Sequence, residues 1–216
     1  MILGTGPLWP AALAAGPTAV LGGAPTPPVI SLHYRAFMPT PEIVPDTKDW
    51  TWVLERRCPE CVFEAGAVAG SALPALVRSY AVRWREVLRR PDVARRPSPA
   101  VWSPLEYACH VRDVCRVFRT RAELMLAQDD PAFENWDQDA TALAERYWEA
   151  DPVEVADQLA TAATVNAAAW ANASATDWQR PGRRSNGSVF TLDTLGRYFL
   201  HDLVHHLHDV GAGAPR

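Results

Sequence analysis

The strongest constraint on the fold is an amphipathic helical segment that starts at a complete N-terminal capping motif. Ser103, Pro104 and Glu106 occupy the N-cap, N1 and N3 positions, which is the arrangement of a capping box with a proline in the first turn. The helix predicted from this start runs to about Gln128. Its inward stripe repeats at steps of one, three and four residues, as a buried helix face requires. The stripe comprises Tyr107, His110, Val111, Val114, Val117, Phe118, Arg121, Leu124 and Met125.

Three further long helices are predicted, over 71–90, over 152–172 and from about 191 to Gly211. Asp151 is the expected N-cap of the second of these, and Gly211 has the position of a helix-ending glycine. The buried face of the helix over 152–172 is predicted to carry Val155, Leu159, Ala162, Val165 and Ala169. Four amphipathic helices joined by long loops favour an all-α four-helix bundle.

The remaining local structure is expected to be sparse. A loop carrying Trp136 precedes a short helix, and a second loop covers 176–191. Only Val29–Leu32 and Thr51–Leu54 have the β-branched, apolar character of short strands.

The N-terminal region differs in composition from the rest. Residues 1–34 contain no Lys, Arg, Asp or Glu, whereas a secretory signal carries positive charge near its start. Prolines and glycines interrupt every apolar run, which argues against a membrane span. We therefore expect a disordered leader over 1–45, a bundle domain over 46–211 and a tail over 212–216. Met38 is an alternative start, and a cleaved export signal is the competing interpretation of the leader.

Charge and cysteine content restrict the partners. The net charge is −4 and the pI about 5.9, and the chain has no long basic run of the kind that binds nucleic acid. No secretory pattern supports a disulfide framework, so the four cysteines are expected to be reduced thiols in the cytoplasm. Homodimerisation through bundle faces is compatible with this composition.

Four of the six histidines lie within the ten residues HDLVHHLHDV, 201–210. His201 and His205 are one helical turn apart and face the same side, so both imidazoles reach one ion. His110, on the inward stripe of another helix, is the expected third ligand. Three protein ligands leave a position open, as in catalytic metal sites. His206 and His208 are expected at the surface or the edge of the core, and Asp202 is expected to point elsewhere.

Cys58 and Cys61 form a C-x-x-C pair within the sequence CPEC. Such a pair is half of a tetrahedral zinc site or a redox pair. Cys109 and Cys115 are six residues apart on a helix and make a poor second half. Free thiols in a tight turn, a metal knuckle and a disulfide all remain open.

Two segments, WSPLEYACHVRDVCRVFRTR and GRYFLHDLVHHLHDV, resemble the metal-ligand helices of the DinB/YfiT-like metalloenzyme superfamily. The resemblance implies a four-helix bundle with a three-histidine divalent-metal site made by His110, His201 and His205. The superfamily includes thiol S-transferases and isomerases that use low-molecular-weight thiols such as mycothiol. The resemblance does not imply DNA binding. The isomerase branch has a glutamate where this chain has His201, which argues against isomerase chemistry.

The resemblance favours a metal-activated thiol that attacks a small electrophile, most simply a mycothiol-type S-transfer in an actinobacterial cytoplasm. Zinc is the preferred metal, with nickel, iron and manganese as alternatives. Arg121 and Asp137 are the candidate catalytic residues, and Arg183, Arg184 and Trp136 are candidates for binding the thiol. A metal-hydroxide hydrolase and a non-catalytic metal- or ligand-binding stress-response bundle are the competing functions.

Overall fold

The structure is a computed structural model that describes Pro45 and residues 48–213. The predicted strand Val29–Leu32 and almost all of the predicted leader lie outside these residues. The described chain is mainly helical, and the predicted all-α four-helix bundle is confirmed. The helices are α1 Leu73–Leu88, α2 Pro104–Ala127, α3 Gln138–Ala144, α4 Pro152–Ala171 and α5 Leu192–Asp209.

The four long helices pack in an order that differs from their order in the chain. α4 packs mainly between α1 and α2, and α5 contacts the same two helices from the other side. α1 and α2, although consecutive in the sequence, make few contacts with each other and are diagonal in the bundle. The loop that joins them therefore crosses one end of the bundle, and α2 and α5 become neighbours.

The capping motif that begins α2 forms as the sequence predicts. The Ser103 hydroxyl accepts a hydrogen bond from the Glu106 backbone nitrogen at 3.3 Å, and the Glu106 carboxylate accepts one from the Ser103 backbone nitrogen at 2.8 Å. Arg96 donates its Nε–H to the same carboxylate at 2.9 Å. Glu106 is buried, so this guanidinium supplies the partner that a buried charge requires.

The predicted buried face of α4 is partly wrong. Val165 is 39% exposed, whereas Asn166 and Trp170 are fully buried. Asn166 donates to the carbonyl of Cys115 at 2.8 Å and accepts from the Trp170 indole N–H at 2.9 Å, so its amide is satisfied inside the bundle. α4 carries alanines on most of its faces, so the faces differ little in hydrophobicity. Its inward face is therefore hard to identify from periodicity.

A small three-stranded sheet flanks the bundle, where the sequence predicted only loops. Its strands are β1 Ala132–Phe133, β2 Pro181–Arg184 and β3 Val189–Thr191, with β1 parallel and β3 antiparallel to β2. The predicted strand Thr51–Leu54 is instead a 3-10 helix over Trp50–Leu54. The strands are too short for a period of two to show in the sequence. Among the described residues, no helix is both long enough and apolar enough to cross a bilayer.

Candidate metal centres

α5 carries two pairs of metal-ligand side chains, each with i, i+4 spacing: His201 with His205, and Asp202 with His206. Neighbouring positions on an α-helix differ in direction by about 100°. The two pairs therefore project towards different parts of the molecule. Each pair meets further ligand-type side chains there, and two separate clusters result.

The first cluster consists of His110 on α2 and the pair Asp202 and His206 on α5. Each offers a ligand atom, and these atoms all lie within 4.8 Å of one another. The buried Oδ1 atom of Asp202 is 3.5 Å from His110 Nε2 and 3.3 Å from His206 Nε2. Neither approach has the geometry of a hydrogen bond. The cluster thus offers two imidazole nitrogens and one buried carboxylate oxygen, and this oxygen has no hydrogen-bond partner in the described chain. Such nitrogen and oxygen atoms are suitable ligands for a divalent ion.

Electrostatics keeps two members of this cluster, His110 and Asp202, in the protonation states that a metal requires. Burial lowers the pKa of His110, so its imidazole is neutral at pH 7. Burial alone would raise the pKa of Asp202, but the neighbouring imidazoles of His206 and His110 lower it to about 2. The cluster therefore combines a neutral His110 nitrogen with one negative oxygen, and the His206 imidazole is its third donor.

Groups behind the cluster orient its two histidines. The Trp136 indole lies parallel to the His110 ring, at 5.3 Å between centroids and 9° between planes. Trp136 Nε1 donates to Thr141 Oγ1 at 2.8 Å, which fixes the indole. Asp209 Oδ2 lies 2.8 Å from His206 Nδ1, so this nitrogen carries a proton and Nε2 is the ring nitrogen that faces the cluster.

A pocket of about 720 Å³ opens beside this cluster. Asp202 and His206 are part of its wall, so one side of the cluster faces the pocket. The volume of the pocket falls in the range of small-molecule sites. The other side chains that line the pocket are mostly polar. They include Lys48, Trp50, Glu60, Tyr107, Trp136, Asp137, Asp139, Arg184, Tyr198, His201 and His205.

The second cluster contains Cys58, Cys61, His201 and His205, all of them buried. Their four ligand atoms also lie within 4.8 Å of one another, and Cys58 Sγ is 3.7 Å from His205 Nδ1. Burial lowers the pKa of His201 to about 4 and raises that of Cys61 to about 12. Without a cation, burial therefore favours a neutral imidazole and a protonated thiol.

The ligand set predicted from the sequence is divided between these two clusters. His110 belongs to the first, whereas His201 and His205 belong to the second. Asp202 points away from the His201 and His205 pair, as expected from the sequence, and His206 lies at the edge of the core. The meeting of Asp202 and His206 with His110 was not expected from the sequence. The two pairs on α5 are offset by one residue, and both have the spacing of a helical metal-binding pair. The spacing alone therefore does not show which pair meets His110.

The other predicted site residues have different locations. Trp136, Asp137 and Arg184 line the pocket, and Asp137 also caps α3 by accepting from the Ala140 backbone nitrogen at 2.8 Å. Arg183 is not among the lining residues and pairs with Asp130 at an exposed position.

Arg121 also lies away from the pocket. It is buried between the rings of Phe118 and Phe133, each 5.0 Å away, and donates to the backbone carbonyl of Glu134 at 2.9 Å. Burial lowers its pKa to about 10. This side chain holds the loop at β1 against α2, which is a structural contact.

Sequence comparison identifies the family. The model of the DinB superfamily matches residues 75–210, which include most of α1 and all of α2, α3, α4 and α5. The chain belongs to the DinB superfamily. A search of curated protein sequences finds no match.

A solved structure supports the same fold. The chain resembles YfiT from Bacillus subtilis, described as a probable metal-dependent hydrolase with an unusual four-helix bundle topology. The TM-score is 0.59 at 17% sequence identity, and the match covers 66% of this chain and 86% of YfiT. At this identity the likeness concerns the fold alone. Cys58 and Cys61 precede the segment that the DinB superfamily model covers.

Proposed function

We propose that this DinB-superfamily protein is a divalent-metal-dependent enzyme whose reactive centre is His110, Asp202 and His206. One observation carries the proposal: three converging ligand atoms, one a buried carboxylate oxygen without a hydrogen bond, lie beside a polar pocket of about 720 Å³. Three protein ligands leave a coordination position open on the pocket side, as in catalytic rather than structural sites. A divalent ion in such a position lowers the pKa of a bound thiol or water molecule.

We propose transfer of a low-molecular-weight thiol, of the mycothiol type, to a small electrophile as the reaction. The sulfur forms the new bond to carbon, the leaving group departs with the bonding electron pair, and the thiol proton passes to solvent. The pocket volume accommodates a hydrophilic thiol together with a small electrophile. Polar walls suit the hydroxyl and amide groups of such a thiol, and the resemblance of the two ligand helices favours this chemistry.

The residues around the centre have distinct roles in this proposal. Trp136 fixes the His110 ring, and Asp209 holds the proton on His206 Nδ1. Arg184, on the pocket wall, packs over the rings of Phe190 and Tyr198, which holds its guanidinium in place to meet an anionic group of the thiol. These groups position the ligands and the substrate, whereas Asp202 supplies the negative charge at the centre.

Hydrolysis is the second candidate. The carboxylates of Asp137 and Asp139 lie on the pocket wall and are suitable general bases for a water molecule. The description of YfiT as a probable metal-dependent hydrolase points in the same direction.

The test compares Asp202→Asn and His206→Ala with wild type after zinc reconstitution. The control is His208→Ala, which removes a histidine of α5 outside both clusters. A panel of electrophiles is offered with mycothiol, and a panel of esters and amides without it. We expect thiol consumption by the wild type and His208→Ala, and nearly none by the other two variants. Full activity in His206→Ala overturns the assignment of the centre. Ester hydrolysis that needs no thiol would overturn the proposal of thiol transfer and support hydrolysis instead.

A further inference from the structure

We infer that Cys58, Cys61, His201 and His205 form a second metal site, closed and of the structural zinc type, that fastens the N-terminal segment to α5. The two cysteines come from a turn that precedes α1, and the two histidines come from the last helix of the bundle. The site is separate from the centre beside the pocket. Its two cysteines lie outside the segment that the family model covers, and the site does not depend on the proposed reaction.

The geometry of the four side chains fits one tetrahedral ion. Zinc lies about 2.3 Å from a thiolate sulfur and 2.0–2.1 Å from an imidazole nitrogen, so neighbouring ligand atoms are about 3.3–3.8 Å apart. Cys58 Sγ and His205 Nδ1 are 3.7 Å apart, and all four ligand atoms lie within 4.8 Å. The Nε2 atom of His201 is buried and has no hydrogen-bond partner within residues 48–213.

The composition of the cluster favours a structural ion. Two thiolates and two neutral imidazoles complete a tetrahedral shell, which leaves no position for a substrate. On binding, the divalent ion replaces two thiol protons, which pass to solvent, and the two thiolate charges neutralise it. A neutral assembly of this kind is compatible with the burial of all four residues.

Contacts outside the ligands support this role. His205 Nε2, the nitrogen that does not face Cys58, is 3.6 Å from a Glu60 carboxylate oxygen and 3.7 Å from an Asp209 oxygen. Carboxylates in this position orient histidine ligands in metal sites.

The cysteine turn is closed by its own backbone. The Cys58 backbone nitrogen donates to the Phe63 carbonyl at 2.8 Å, and Arg57 Nε donates to the Val62 carbonyl at 3.0 Å. Val62 has φ 60°, a left-handed conformation that a β-branched residue adopts only under constraint. An ion held by Cys58 and Cys61 provides such a constraint.

The site also supports one wall of the pocket. The Trp50 indole packs on both histidine ligands, with ring centroids 5.6 Å from His201 and 4.9 Å from His205, and it lines the pocket. The bond from Cys58 to His205 through an ion would join residues 147 positions apart. Loss of the ion is therefore expected to release the segment that carries Trp50.

The test uses the full chain, purified under reducing conditions and loaded with zinc or cobalt. The background is His206→Ala, which weakens the first centre and keeps the four ligands. Cys58→Ser/Cys61→Ser is added to this background, and Cys115→Ala, which removes a buried thiol outside both clusters, is the control. We expect about one tightly held zinc ion per chain in His206→Ala and in the control, and none in the cysteine variant. The cobalt forms are expected to show an intense thiolate-to-cobalt charge-transfer band that the cysteine variant lacks.

A second measurement avoids the risk that the cysteine variant does not fold. Folded wild-type protein loaded with zinc is titrated with a mercurial thiol reagent, and released zinc is followed with a chromogenic chelator. Release of about one ion, in step with the reaction of two thiols and with a shift in Trp fluorescence, supports the site. Cobalt-loaded His206→Ala without a thiolate band overturns it. A Cys58–Cys61 disulfide in the reduced preparation, or thiol modification without zinc release, overturns it as well.

Discussion

His205 and His206 are consecutive residues of α5, yet their imidazoles belong to two different ligand clusters. His205 joins His201 and two cysteines in a buried set, whereas His206 joins His110 and Asp202. Both His205 and His206 line the pocket. Asp209, one turn further along, lies near both rings: 2.8 Å from His206 Nδ1 and 3.7 Å from His205 Nε2. One carboxylate therefore hydrogen-bonds a histidine of the first cluster and lies close to a histidine of the second.

Replacement of Asp209 is predicted to weaken metal binding at both clusters. Asp209→Asn removes the negative charge behind both histidines, and the loss of such an outer partner lowers metal affinity on the order of 10–100-fold. Competition with chromogenic zinc chelators measures the two affinities. The control is Asp193→Asn, a similarly buried carboxylate in the first turn of the same helix, paired with Arg197. Unchanged affinity at both clusters would contradict this role.

Trp136 is predicted to contribute to the first centre through its stacking on His110. Trp136→Ala removes the parallel ring, an interaction of about 1 kcal/mol, and should weaken metal binding there several-fold. Trp136→Phe keeps an aromatic face and should retain most of the affinity. Isothermal titration with zinc and thermal unfolding provide the readouts. Trp148→Ala removes a half-buried tryptophan that packs on Arg146 and serves as the control. Equal losses in Trp136→Ala and Trp148→Ala would reject the stacking argument.

Val62→Gly is predicted to stabilise the folded protein. At φ 60° a β-branched residue is strained by about 1–2 kcal/mol. Glycine relieves this strain but increases the entropy of the unfolded chain, which offsets about 0.5–1 kcal/mol. A net gain of roughly 0.5–1 kcal/mol in the free energy of unfolding follows, measured by denaturant titration of the zinc-loaded protein. Val82→Gly, in the exposed middle of α1, should instead destabilise by roughly 0.5 kcal/mol. A loss of stability in Val62→Gly would show that the turn carries no such strain.

A buried ion pair in the core predicts a specific pH dependence of stability. Asp113 accepts hydrogen bonds from Arg112 Nη2 at 2.7 Å and from the Tyr147 hydroxyl at 2.6 Å. Burial alone would raise the pKa of Asp113, but Arg112, Tyr147 and Arg116 lower it below the usual value. The stability that this carboxylate contributes is therefore present above its unfolded pKa and is lost as the pH falls through the folded pKa.

Asp113→Asn is expected to cost about 3 kcal/mol at pH 7, because it leaves Arg112 buried without its ionised partner. The difference from wild type should shrink as the pH falls below about 4, the usual pKa of this carboxyl in the unfolded chain, until the folded carboxyl is protonated as well. Urea titrations at several pH values measure this convergence. Asp157→Asn removes an exposed pair with Arg85 and should change stability by less than about 1 kcal/mol. A constant difference between Asp113→Asn and wild type across this pH range would contradict the assignment.

Much of the helical fold could be predicted from the sequence because the signals are local. The capping box at Ser103 and Glu106 and the aspartate cap at Asp151 fix helix starts through hydrogen bonds within a few residues. Apolar repeats at three and four residues then mark the inward faces of α1, α2 and α5. α4 is the exception, since its many alanines differ little in burial preference, and the fully buried Asn166 was not expected from composition.

The candidate sites were only partly predictable. The sequence alone determined that one helix concentrates metal-ligand side chains and that a cysteine pair precedes the bundle, because these are matters of residue type and spacing. Only the tertiary structure decided which side chains meet. The rotation of α5 about its axis directs Asp202 and His206 towards His110 and turns His201 and His205 towards Cys58 and Cys61. That rotation is set by the packing of α5 against α1 and α2. Because both pairs have the same spacing, the local sequence does not show which pair faces which cluster.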